Sequence, residues 1–335
     1  MNRLLRCFIS LLLVVSTKGI CNTAQPGIFE AGGTGNFILM FPEDSSSFRK
    51  MQMVYERITI QLYKGYGVVK GEYKMYNTTD SIVSIKVGYP VNAFFKATEH
   101  SVATHIFFDK LYALKSYTNG RENPLIIKPG PERQSMDANN WYVWDNSFKP
   151  KDTTIITVYF IVNTNNTIIR EGYAVDKNNG FIYLLETGAT WKQPIVRGEI
   201  KIGLMDNIKT RNIHGLSPDY VFKINNERNT LYYTFNNLSP TFEDNIVLVY
   251  TPDMEQFDFG NIISKKETLF SSVDSFSKQP IEESKFSNHH FKDPYKISSV
   301  FNNIFLLLAA IIGGFIIVLI VIIKLFKSLI RYIRK

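Results

Sequence analysis

One uncharged apolar run, Ile304 to Ile323, constrains the folding of this 335-residue chain more than any other feature. Its 20 residues, rising about 1.5 Å each in a helix, match a hydrocarbon core of about 30 Å. A chain with such a run is expected to place that helix in a bilayer and to fold the remainder in water. The flanks give the direction. Lys324, Lys327, Arg331, Arg334 and Lys335 follow the run with no acidic residue, so the positive-inside rule puts a basic tail, residues 324–335, in the cytoplasm. Leu325, Phe326, Leu329, Ile330 and Ile333 share one helical face of that tail, which predicts an amphipathic extension against anionic lipid. Within the run, Ala309 and Gly313, and likewise Ala310 and Gly314, are small residues four apart, a spacing that admits a second helix and a weak homodimer.

The other end reads as a signal peptide over residues 1–21. Arg3 and Arg6 precede the apolar stretch Phe8 to Val15, small and polar residues follow, and cleavage is expected between residues 19 and 24. The two ends together predict a single-pass cell-membrane protein with an extracytoplasmic head. They also account for the charge. The chain has 38 Lys and Arg against 30 Asp and Glu, a net charge of +8. Arg3, Arg6, Lys18 and the five tail cations supply that whole excess, so residues 22–323 are neutral and no nucleic-acid partner is expected. Of the two cysteines, Cys7 falls in the signal, leaving Cys21 as the most the mature chain can keep. A disulfide framework is therefore excluded, and the head must be stable through apolar burial. Cysteine avoidance suits a bacterial envelope protein.

Between the ends the apolar period is two. Ile58, Ile60 and Leu62 alternate with Thr59 and Gln61, and Val69, Gly71, Tyr73 and Met75 alternate with Lys70, Glu72 and Lys74. Ile200, Ile202 and Leu204 alternate with Glu199, Lys201 and Gly203 in the same way. Val83, Ile85, Val87 and Tyr89 follow the polar stretch Asn77 to Asp80, which predicts a hairpin with the strand before it. Ile155 to Val162 and Ile246 to Tyr250 are nearly continuous in apolar or β-branched residues, as central strands are. No segment outside the termini carries a 3.6-residue apolar stripe over three turns. The expected class is mainly β, an antiparallel β-sandwich head over residues 30–162. Residues 163–252 form either a second tandem sandwich or a continuation of the first, since Pro150 and Pro240 each mark a turn into a buried strand. Residues 253–300 lose the alternation and predict a flexible stalk. As an alternative for that segment, Phe257, Phe259, Phe270, Phe276, Phe286 and Phe291 are anchors that order on a partner.

Gly32-Gly33, Ile38, Met40, Glu56, Ile58, Ile60, Val69, Tyr73, Asn77 and the step Tyr89-Pro90, with Gly188, Trp191 and Pro194 later, resemble a bacterial family of exported proteins classed as a domain of unknown function. The resemblance spans residues 30 to 250. It implies an envelope location and a β-rich head, and it carries over no activity and no functional residues.

Motifs of chemistry are sparse. The glycine-rich Gly32 to Asn36 lacks the preceding strand and following helix that a phosphate cradle needs. Glu99, His100, His105 and Asp109 are metal-capable, but on an extended strand His100 opposes the face shared by His105 and Asp109, so no metal is expected there. Trp141, Tyr142, Trp144 and Trp191 are of types that stack on sugar rings, and in a sandwich such aromatics belong to the core. No serine elbow, zinc-protease helix or cysteine nucleophile pattern is present, and neither catalytic residues nor a cofactor is assigned. The expected function is a membrane-anchored, non-catalytic binding or scaffold module of the cell envelope, with the lipid bilayer and an envelope or membrane protein as partners. The alternatives are an anchored hydrolase with dispersed carboxylates and an accessory subunit of a membrane complex.

Overall fold

A computed structural model describes residues 45–90, 111–129, 140–165, 174–218, 221–241 and 244–288. It also describes the short segments 27–29, 37–39, 93–99, 102–108 and 167–171 and the single positions 291, 308, 311, 314 and 322. In chain order the strands are β1 (Gly27–Phe29), β2 (Phe37–Leu39), β3 (Met51–Tyr63), β4 (Tyr66–Asn77), β5 (Val83–Pro90), β6 (Ala93–Glu99) and β7 (Val102–Phe108). There follow β8 (Leu111–Thr118), β9 (Arg121–Glu122), β10 (Ile126–Pro129), β11 (Asn140–Phe148), β12 (Thr153–Asn163), β13 (Thr167–Glu171) and β14 (Ala174–Tyr183). The last are β15 (Ile195–Leu204), β16 (Ile213–Ser217), β17 (Lys223–Asn225), β18 (Thr230–Leu238), β19 (Ile246–Pro252) and β20 (Ser287–Asn288). The α-helices with described bounds are α1 (Ser45–Phe48), α2 (Phe259–Ser264) and α3 (Lys266–Lys278).

The protein is mainly β. A nine-stranded sheet has the order β20-β17-β18-β15-β3-β4-β12-β8-β9, a six-stranded sheet the order β16-β19-β14-β13-β7-β6, and a three-stranded sheet the order β10-β11-β5. The alternation in sequence sorts each strand's residues between two faces. Ile58, Ile60, Leu62, Val69, Tyr73, Met75, Ile200 and Ile202 all turn inward and are buried. They share one core with Phe181, Ile246, Leu248 and Tyr250 of the six-stranded sheet and with Val87, Trp144 and Phe148 of the three-stranded sheet. Met51 and Met53 join the same face because a bulge between Met53 and Tyr55 resets the alternation of β3. Strands from both sides of residues 163–166 lie in the nine-stranded sheet and in this core.

Three expectations differ from the structure. β4 and β5 do not form a hairpin: β4 is flanked by β3 and β12, while β5 crosses to pair with β11. Asn77 redirects the chain there, its side-chain amide donating to the carbonyls of Ser81 at 2.8 Å and Phe148 at 3.1 Å. The sheets are not wholly antiparallel either, because β15 pairs with β3 in parallel, from Gly198 beside Glu56 to Leu204 beside Leu62. β15 reaches that position through a crossover by way of β14 in the other sheet, and parallel neighbours require such a connection.

The third difference is the segment expected as a flexible stalk. Residues 257–279 include α2 and α3 and lie across the outer face of the nine-stranded sheet as a strap. Phe270 and Val273 are buried there with Tyr63, Tyr66, Val68 and Ile161 in a second, smaller cluster. Two glycines let the strap approach the sheet. A Cβ on Gly203 would stand 2.8 Å from the Phe276 ring, and one on Gly65 would stand 2.6 Å from the Phe257 ring. Gly65 also takes φ +87° in the tight turn between β3 and β4, a region L side chains avoid. Among the described residues no helix is long and apolar enough to cross a membrane. The run 304–323 lies outside them except at Leu308, Ile311, Gly314 and Ile322, which are helical and exposed.

Candidate functional site

The outward residues of β3, β4 and β15 meet in rows set by the strand register. Glu199 lies opposite Arg57, and Arg57 lies opposite Glu72. One step along, Lys201 lies opposite Thr59, which lies opposite Lys70. Opposite charges directly across a sheet attract, and the first row is an ion-paired ladder. Arg57 Nε donates to Glu199 Oε1, and Arg57 Nη1 stands 4.0 Å from Glu72 Oε2. The Tyr232 hydroxyl donates to Glu199 Oε2 at 3.2 Å. Burial by itself would push the Glu199 carboxyl up, but hydrogen bonds from Arg57 and Tyr55 outweigh it and hold it below the ordinary carboxylate range. Burial, followed by the bond to Glu199, pushes the Tyr55 hydroxyl up to about 12.

Above this ladder lies a groove of about 650 Å³, lined by Val54, Tyr55, Arg57, Glu72, Lys74, Ile155, Arg197 and Glu199. The Tyr55 ring carries Arg57 Cζ at 5.5 Å and Lys74 Nζ at 5.2 Å from its centroid, within cation–π range. Lys74 and Arg197 are exposed, and among the described residues neither has a carboxylate partner. Both acids of the groove are engaged, Glu199 by Arg57 and Glu72 by Arg57 and by Lys70 at 3.2 Å. The unbalanced charge of the groove is positive.

The strap closes one end of this surface. Lys70 Nζ reaches Asp274 Oδ1 at 2.8 Å, and Lys201 Nζ donates to the carbonyls of Phe276 at 2.7 Å and Gln279 at 2.9 Å, capping α3. Burial pulls the Lys201 ammonium down to about 8. Burial pushes the Asp274 carboxyl up, but hydrogen bonds from Lys278 and Lys70 prevail and hold it at about 2. A smaller cavity of about 220 Å³ continues the groove to the strap, sharing Arg57 and Glu199 with it and ending at Ser277 to Ile281.

Inside the core a second polar cluster forms. Glu56 has no exposed surface, and its Oε1 accepts from the Tyr183 hydroxyl at 3.1 Å. Tyr73 joins the Tyr183 hydroxyl at 2.9 Å and the Tyr89 hydroxyl at 2.5 Å, while Glu56 Oε2 has no partner. Burial pushes the Glu56 carboxyl up to about 8, so at neutral pH it carries a proton.

Among the described residues, those singled out in the sequence do not converge. Trp144 and Trp191 are buried in the core, with Trp191 packed on Phe48 at 4.6 Å between ring centroids. Glu99 ends β6 and His105 lies on β7, whereas His100 and Asp109 lie outside the described residues. Among the described residues no three His, Cys, Asp or Glu side chains are grouped to hold a metal ion. Gly32 to Asn36, Ala309, Ala310 and Gly313 lie outside the described residues, and Gly314 is helical and exposed. Sequence reading identified Lys70, Glu72, Lys74, Glu199 and Lys201 only as outward polar positions. Their charges at every second residue were the available signal, but the β15–β3 pairing that joins them leaves no local trace.

No family model matches the chain, and no curated protein is similar to it in sequence. Solved structures align with part of the chain. One is a candidate nutrient binding protein from Legionella pneumophila, with 15% identity and TM-score 0.41 over 60% of this chain and 67% of that one. Another is an M1 zinc metallopeptidase from Deinococcus radiodurans, with 10% identity and TM-score 0.32 over 60% of this chain and 42% of that one. The chain thus spans less than half the length of the peptidase. Two proteins of unrelated description match to a similar degree, and the likeness carries no functional content.

Proposed function

We propose that the protein is a membrane-anchored binding module of the cell envelope whose ligand seats in the charged groove on the outer face of the nine-stranded sheet. The observation that carries this reading is an open groove whose two rim cations, Lys74 and Arg197, have no carboxylate partner among the described residues, while the two acids that line it, Glu72 and Glu199, are engaged. The nine- and six-stranded sheets are two layers of one sandwich in this proposal, residues 163–252 continue the first unit, and residues 304–323 anchor the head. The signal-like N-terminus, the basic tail and the resemblance to exported bacterial proteins support the extracytoplasmic placement. With the strap seated on the sheet, the chain between residues 288 and 304 can reach at most about 55 Å. The head is then held near the bilayer. Self-association through Ala309, Ala310, Gly313 and Gly314 belongs to the same proposal, and Gly313→Leu weakens it in a membrane dimerisation assay.

The test places a cysteine in the groove. Arg197→Cys in the full chain, expressed in cells converted to spheroplasts, is labelled by a membrane-impermeant maleimide above the level of the parent chain without permeabilisation. Labelling only after permeabilisation refutes the extracytoplasmic groove.

A further inference from the structure

We infer that the groove takes an acidic peptide segment in an extended, polyproline-type conformation; this rests on the groove being the binding face. β15 and β3 pair in parallel from Gly198 beside Glu56, Arg197 and Tyr55 each come one residue before that pair on their strands, and Tyr55 lies directly opposite Lys74, so both cations line the groove that holds this aromatic ring. Their strands, β15 and β4, flank β3 and so run two strand spacings apart, about 10 Å. A polyproline-type chain repeats its face every third residue, at about 9 Å. Two acidic side chains three apart on such a ligand therefore meet Lys74 and Arg197 together, while the residues between them lie over Tyr55.

The remaining surroundings fit this occupant. Arg57 is consumed by Glu199 and Glu72, so a ligand carboxylate finds its counter-charges at the rim rather than at the floor. Ile155, directly opposite Lys74 on β12 and 41% exposed, gives the chain an apolar contact beyond the row. The groove lies open on a sheet surface, and an enclosed pocket is what a small ligand needs to bury most of its area. A basic ligand would set its cations against Lys74 and Arg197 with no unpaired acid among the described lining residues to receive them.

The experiment uses the full chain in a non-ionic detergent and three fluorescein-labelled heptapeptides. The first carries glutamate at positions one, four and seven with proline between, and the other two carry glutamine or lysine in place of glutamate. Fluorescence anisotropy is expected to show the glutamate peptide binding at least tenfold more tightly than either control and weakening as salt is raised. The exposed double variant Lys74→Ala with Arg197→Ala loses about tenfold in affinity, and the double variant Lys74→Glu with Arg197→Glu reverses the preference toward the lysine peptide. Equal binding of the glutamate and glutamine peptides, or an unchanged affinity in the alanine double variant, overturns the proposal. If the glutamine or lysine peptide binds best and Tyr55→Ala removes that binding, the ligand class fails while the groove stands. Binding by none of the three overturns the ligand class. Restriction of Arg197→Cys labelling to permeabilised spheroplasts is what separately overturns the groove reading.

Discussion

Replacing Glu56 by Gln is expected to stabilise the fold at neutral pH and to flatten its dependence on pH. The carboxyl is fully buried, with Tyr183, and behind it Tyr73 and Tyr89, as its polar neighbours, and it is pushed up from 4.5 to about 8 by burial. A folded-state value above the unfolded one means that its contribution is fully present below pH 4.5 and is lost as pH rises through about 8. Each pH unit in that window costs about 1.4 kcal/mol. At pH 7 the loss is therefore about 3 kcal/mol, a large share of a typical folding stability of about 5 to 15 kcal/mol. Gln keeps the acceptor that Tyr183 uses and places its amide where Oε2 already lacks a partner, so the packing and hydrogen-bond terms nearly cancel. Urea unfolding followed by tryptophan fluorescence, which reports the buried Trp144 and Trp191, measures both proteins at pH 5, 7 and 8.5. The two should coincide within about 1 kcal/mol at pH 5 and separate by about 3 kcal/mol at pH 7. Glu186, pushed up by burial to about 7, adds its own fall to both proteins and cancels in the difference. A constant difference across the three pH values would show that Glu56 does not titrate in the fold and would refute the reasoning.

The strap gives two further outcomes and the core one. Asp274→Asn weakens the bonds to Lys70 and Lys278, so amide exchange across residues 266–278 should speed up about tenfold, equivalent to roughly 1.4 kcal/mol, while β3 and β4 keep their protection. Because Asp274 is held down at about 2, its contribution in the unaltered protein is present above about pH 4 and lost as pH falls toward 2, which the same exchange measurement follows. Gly203→Val drives a branched side chain into the Phe276 ring and should lift the end of α3, seen as faster exchange at residues 274–279 with the core unchanged; unchanged exchange would show that the ring swings aside freely. Trp191→Ala should cost about 3 to 5 kcal/mol in urea unfolding, because a fully buried ring packed on Phe48 leaves a cavity; a loss under 1 kcal/mol would mean the site collapses.

The strands were legible wherever one face is buried and the other wet, because burial then imposes its period on the sequence. β19 read correctly as central, and all of Ile246 to Tyr250 are buried. β12 read the same way for a different reason. Ile156, Val158 and Phe160 enter the core, but Ile161, on its other face, is buried by the strap. The strap itself was not legible as helix. Leu269, Phe270, Val273 and Phe276 form a stripe of only two turns in a serine-rich segment, and such a stripe becomes stable only when a sheet is already there to receive it. The partner of β4 was unreadable for a related reason, since β12 comes about eighty residues after it and pairing at that distance has no local signature. The groove shares this limit. Lys70, Glu72, Lys74 and Glu199 were visible as outward charges, but Glu199 meets Arg57 only once β15 lies parallel to β3.

Glu56 and Glu199 stand in opposite electrostatic surroundings, and the contrast bears on what the groove can do. Glycoside hydrolysis requires one protonated and one ionised carboxyl facing a common space. Glu56 holds a proton and Glu199 is ionised, yet Glu56 faces the core beside Tyr183 while Glu199 faces the groove beside Arg57. The backbone of the nine-stranded sheet separates them. Among the described residues the other acid lining the groove is Glu72, itself ion-paired with Lys70 and Arg57, while the bond from Arg57 favours the ionised form of Glu199. Ion pairs this exposed contribute about 1 kcal/mol or less to folding. Their geometric effect is larger: they engage Arg57 beside the Tyr55 ring and leave Lys74 and Arg197 as the lining cations without an ion pair among the described residues. Substitutions at those two rim cations should therefore change what the surface binds with little effect on whether the protein folds, whereas substitutions at Glu56 should do the reverse.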